Sequence, residues 1–79
     1  MSGPTNADRA GWARNALAMF TAETFGGEHP DAMHDDDLEA AVTDLICDLL
    51  HLAERSGFDP QRVLERASSH YRTKTLLED

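Results

Sequence analysis

The stretch LEAAVTDLICDLLHLAER, running from Leu38 to Arg55, decides how the chain folds. Advancing about 100° per residue, Leu38, Ala41, Val42, Leu45, Ile46, Leu49, Leu50, Leu52 and Ala53 fill an apolar arc of roughly 180°, which marks an amphipathic helix. That arc is wider than packing against one neighbour requires. The helix is therefore expected at the centre of the domain, covered by two other elements or by one element and a partner chain. Asp44, Asp48, His51 and Arg55 recur at i, i+4, i+7 and i+11 and line one polar stripe at the edge of the arc.

Working outward toward the C-terminus, Ser56-Gly57 ends this helix, because glycine adopts the left-handed conformation of a C-terminal cap and Phe58 can fold back on the last turn. Asp59-Pro60 starts the next helix, with Asp59 as N-cap and Pro60 at the first helical position. Val63, Leu64, Ala67 and Tyr71 give that helix an apolar stripe bordered by His70, and the short link makes the two helices a tight hairpin. From Thr73 the tail frays or places Leu76 and Leu77 on a partner.

Toward the N-terminus, Asp36 with Glu39 three residues later reads as a capping box, and Asp35 and Asp37 add favourable charge at the positive end of the helix dipole. Glu28 to His34 reads as a loop, and Gly26-Gly27 as the end of a first helix reaching Thr24. Asn6 or Asp8 caps that first helix, with Ala10, Trp12, Ala13, Ala16, Leu17, Met19 and Phe20 assigned to one side and Trp12 and Phe20 as its anchors. The fold class is all-α: a compact three-helix domain with a central amphipathic helix and a C-terminal helical hairpin. Residues 1–6 read as a disordered leader, 7–74 as the domain and 75–79 as a tail.

With 79 residues and 41% hydrophobic composition, one core is marginally sufficient and no disulfide can support it, since Cys47 is alone. Small helical chains of this size often complete their burial by dimerising, so a homodimer is expected, with Trp12, Phe20, Leu45, Leu49 and Tyr71 as interface residues. The lone thiol of Cys47 fits a reducing cytoplasm. No apolar run reaches membrane-spanning length and Met1 to Asn6 is not a signal peptide, so a cytoplasmic protein with no membrane partner is expected.

The net charge of -8 is unevenly distributed: from Asn15 to Glu54 there are ten acidic residues and no Lys or Arg. Affinity for a phosphate backbone comes from Lys and Arg, so direct nucleic-acid binding is not expected. An acidic block instead attracts a basic protein surface or a divalent cation. Asp35, Asp36, Asp37, Asp44, Asp48, His51 and Arg55 are the candidate binding residues. His29, Asp31, His34 and Asp35 carry metal-ligating groups in the loop, but their spacing matches no strong motif, so no metal, cofactor or catalytic residue is assigned.

Asp44, Asp48 and His51 could hold a divalent cation or pair a base with its orienting acid. The run from Asp44 to Asp59, followed by a helix with Val63-Leu64, resembles the second conserved half of MazG-type nucleotide pyrophosphohydrolases. That resemblance implies a four-helix fold, a dimer or tetramer, magnesium, and hydrolysis of nucleoside triphosphates to monophosphates. The family pairs Glu-x-x-Glu on one helix with Glu-x-x-Asp on the next; here Asp44 stands for the final Asp, Ala41 replaces its partner Glu, and the first helix offers Glu23 without a paired acid. The same run with His70-Tyr71 is also similar to short acidic proteins of phages and mobile elements, some of them anti-CRISPR-like inhibitors that cover basic surfaces. The expected function is non-enzymatic: a small acidic interaction or inhibitor module that docks a basic surface of a partner protein, with nucleic-acid-binding proteins among the candidates. The alternatives are a pyrophosphohydrolase relative with a reduced metal site and a purely structural dimerisation module.

Overall fold

The structure is a computed structural model that describes residues 3–77. Three α-helices follow one another, α1 (Asn6–Thr24), α2 (Asp35–Arg55) and α3 (Pro60–Leu77), with a 3₁₀ turn, Pro30–Ala32, between the first two. No strand occurs among the described residues, and the all-α, three-helix fold is the one the helical periodicity predicts. Its radius of gyration of 14.1 Å exceeds the about 12 Å typical of a folded chain of this length.

Each helix start has a local cause. Thr5, rather than Asn6 or Asp8, caps α1: its Oγ1 accepts from the Asp8 N–H at 3.1 Å while its own N–H donates to Asp8 Oδ2 at 3.0 Å. This reciprocal pair is a capping box built on Thr5 and Asp8, which satisfies two backbone donors at the helix start. Asn6, expected in the leader, is the first residue of the helix. At α2 the expected box of Asp36 and Glu39 does not form. The helix starts one residue before Asp36, His34 is the N-cap without a side-chain bond, and Asp35, Asp36 and Asp37 all lie in the first turn. Asp36 is thus already helical, where its carboxylate favours the helix dipole instead of capping it.

The α2–α3 link follows the sequence closely. Gly57 takes φ 89°, and the Gly57 and Phe58 N–H groups donate to the carbonyls of Glu54 at 3.1 Å and Ala53 at 2.9 Å, the paired bonds of a Schellman cap. The Asp59 carboxylate then accepts from the Gln61 N–H at 3.0 Å, with Pro60 opening α3. The helix continues through Leu77, so Thr75 to Leu77 belong to α3 rather than to a tail. Met1 and Ser2 of the expected leader and Glu78 and Asp79 of the expected tail lie outside the described residues.

The buried set among the described residues is small: Leu17, Thr21, Pro30, Ala41 and Ala53. The α1 face that packs inward carries Leu17 and Thr21. Trp12 lies about 180° around the helix from Thr21 and is 59% exposed, while Phe20, about 60° from Leu17, is half-buried. The seven residues assigned to one side do fall within about 180°, but the line that packs inward, Leu17 and Thr21, runs along one edge of that arc, which leaves Trp12 and Met19 at the other edge exposed. Arg14 Nη1 donates to Asp31 Oδ1 at 2.7 Å and the Asp31 N–H donates to His29 Nδ1 at 3.1 Å, which ties the 3₁₀ turn to α1.

Candidate functional site

The central helix presents two different surfaces. Along one, Leu38, Val42, Leu45, Ile46 and Leu49 form the wall of an open trough of about 720 Å³ whose opposite wall is α1. The α1 wall is made of small residues, Ala7, Ala10, Gly11 and Ala13, with Leu17 at its deep end and Arg14 as its charged member. A Cβ built at Gly11 meets nothing within 4 Å. Val42, Ile46 and Leu49 each keep roughly half of their surface exposed, although they occupy the middle of the apolar arc.

The second surface is polar. Asp44, Asp48, His51 and Arg55 are all exposed, one helical turn after another, and among the described residues none of them has an ion-pair partner. The structure joins Asp48 and His51 to Cys47 rather than to Asp44: potential ligand atoms of Cys47, Asp48 and His51 lie within 4.8 Å of one another. The signal for this grouping was present in the sequence as the i, i+4 spacing of Cys47 and His51, a spacing that puts two side chains on one face. Asp35, Asp36 and Asp37 are exposed as well, but successive residues point about 100° apart, so they ring the first turn of α2 and do not extend the stripe. In the loop, His29 uses its Nδ1 as an acceptor from the Asp31 N–H, and Asp31 is paired with Arg14.

No family model, curated protein or solved structure matches this chain. Magnesium, which the pyrophosphohydrolase resemblance implies, prefers near-octahedral oxygen ligands. A thiol, one carboxylate and an imidazole form a softer set suited to zinc, cobalt or copper, so the arrangement around Cys47 does not fit magnesium. The five expected interface residues also separate. Leu45 and Leu49 line the trough, whereas Tyr71 faces a groove with Asn6, Arg9, Ala10, Lys74 and Thr75, and Trp12 and Phe20 stand outside both. At that second groove Asn6 Nδ2 donates to the Lys74 carbonyl at 3.4 Å, linking the start of α1 to the end of α3. No helix among the described residues is long and apolar enough to cross a membrane.

Proposed function

We propose that this chain is a small acidic interaction module of the cytoplasm that works as a homodimer and docks a basic surface of a partner protein. The observation that carries the reading is the block from Asn15 to Glu54, with ten acidic residues and no Lys or Arg. All ten are exposed, and among the described residues Asp31 is the one of them with an ion-pair partner. Carboxylates that are solvated and uncompensated within their own chain retain their full field for a second molecule, and complementary potentials accelerate encounter and select the partner. A nucleic-acid-binding protein is the partner class with the matching positive surface, and covering that surface makes the module an inhibitor. The similarity to short acidic phage and anti-CRISPR-like proteins supports the same direction.

The test is capture of partners from host lysate by the wild-type chain and by a variant with Asp35, Asp36, Asp44 and Asp48 changed to Asn. The reading expects a basic protein released as salt rises, and captured poorly by the variant. Capture equal in strength and salt dependence for both chains would contradict it.

A reduced pyrophosphohydrolase is the second reading, favoured by the approach of Asp48 and His51 on one face of α2. The soft donor set weighs against the magnesium this reading needs. Release of pyrophosphate from a nucleoside triphosphate with magnesium or manganese would favour it, and no turnover with either ion removes it.

A further inference from the structure

We infer that the trough between α1 and α2 seats a second copy of this chain across a twofold axis. The inference rests on the homodimer part of the preceding reading and not on its basic partner. It names the face: area calls for a second molecule, and shape and charge select the trough.

The first is area. The chain exposes 6343 Å², whereas a folded monomer of 8.7 kDa exposes about 4,700 Å². The excess of roughly 1,600 Å² belongs to the whole chain, the exposed α3 included, so it marks burial that a second molecule completes without locating the face.

The second is shape. A twofold interface uses the same patch on both molecules, so the patch must complement itself. This one has a wall of large side chains, Val42, Ile46 and Leu49, beside a wall of small ones that includes Ala10 and Gly11. Rotation by half a turn sets the large wall of each copy against the small wall of the other. The open space at Gly11 is where a side chain of the other copy reaches closest to the α1 backbone.

The third is charge. Two chains of net charge -8 repel unless their acids stay outside the contact, and the trough contains no acid. Its charged member is Arg14, of opposite sign to the chain as a whole. A basic partner is drawn to the acidic surface, while the apolar trough is left for a surface of its own kind. In the dimer each α2 packs on the α1 of the other copy in a four-helix arrangement, with the Asp44–Arg55 stripe facing out.

Sedimentation equilibrium of the full chain tests this, with far-UV circular dichroism as the check on folding. Wild type is expected at twice 8.7 kDa. Ile46→Glu, which buries a carboxylate against the other copy's apolar small wall, and Gly11→Leu, which fills that wall, are each expected to weaken the dimer about thirtyfold or more. Trp12→Asp and Tyr71→Asp, outside the trough, are expected to leave it unchanged. If Ile46→Glu loses helicity, Gly11→Leu decides, because that position is open in the single chain. A wild type that stays monomeric to about 1 mM overturns both the inference and the homodimer reading, and leaves the trough to a different protein or an apolar ligand. A dimer indifferent to Gly11→Leu and Ile46→Glu but dissociated by Trp12→Asp or Tyr71→Asp overturns the inference alone.

Discussion

Helices α1 and α3 both pack on α2, but they are held there by different means. From α1 come two buried side chains, Leu17 and Thr21, and an ion pair from Arg14 to the turn that carries buried Pro30. From α3 comes no buried residue: Pro60 is half-buried, and every described side chain after it is exposed. What α3 has instead is a sharply defined connection, the Gly57 cap followed by the Asp59 cap. The contrast teaches that a tight hairpin can be specified by three or four turn residues while the burial that holds the helices together is specified elsewhere.

The sharpest way to break the contrast is to truncate one apolar side chain on each side at fixed protein concentration. Leu17→Ala, at a site 5% exposed, is expected to cost about 2–4 kcal/mol in urea unfolding. Leu64→Ala, at a site 40% exposed, should cost less than about 1 kcal/mol, because most of the removed surface is already in water. Equal losses would mean that α3 is as firmly packed as α1.

Next in size is the turn itself. Gly57 holds φ 89°, a left-handed conformation that a side chain disfavours, and Gly57→Ala is expected to destabilise by about 1–2 kcal/mol. A neutral result would show that the α2–α3 connection does not depend on the Schellman cap. Removing the α1 cap with Thr5→Ala should cost about 1 kcal/mol, read as a lower urea midpoint with an unchanged slope. The smallest effect is expected from Asp31→Asn, which dissolves the pair with Arg14. Both side chains are about half exposed or more, so the loss should lie within about 0.2–1 kcal/mol and vanish as salt is raised.

Those sizes follow the way the fold was written in the sequence. Helix positions and the hairpin were legible because Gly57, Asp59 and Pro60 act through local backbone chemistry, and because the apolar arc of α2 has a clear phase. The start of α1 was also legible, but in Thr5-x-x-Asp8 rather than in Asn6 or Asp8 alone. The α1 face was not legible. Its bulky apolar residues share an arc of about 180° while Ala7, Ala18 and Ala22 line the rest of the helix, so periodicity does not say which part of the arc goes in, and the position of α2 and the 3₁₀ turn decides that Leu17 goes in and Trp12 stays out. The candidate site divides similarly. The stripe of Asp44, Asp48, His51 and Arg55 follows from spacing, whereas the association of Cys47 with Asp48 and His51 depends on side-chain directions, and the trough depends on how far α1 stands from α2.

The proposed division of work on α2 gives the apolar surface a second copy and the acidic surface a basic partner. Its most direct test is the dimer dissociation constant measured by sedimentation as salt rises from about 0.05 to about 0.5 M, a range over which the Debye length falls several-fold. An apolar interface between two chains of net charge -8 should hold or tighten as their mutual repulsion is screened. A dimer that falls apart as salt rises would contradict the claim, because it would place charge attraction, not the trough, at the contact.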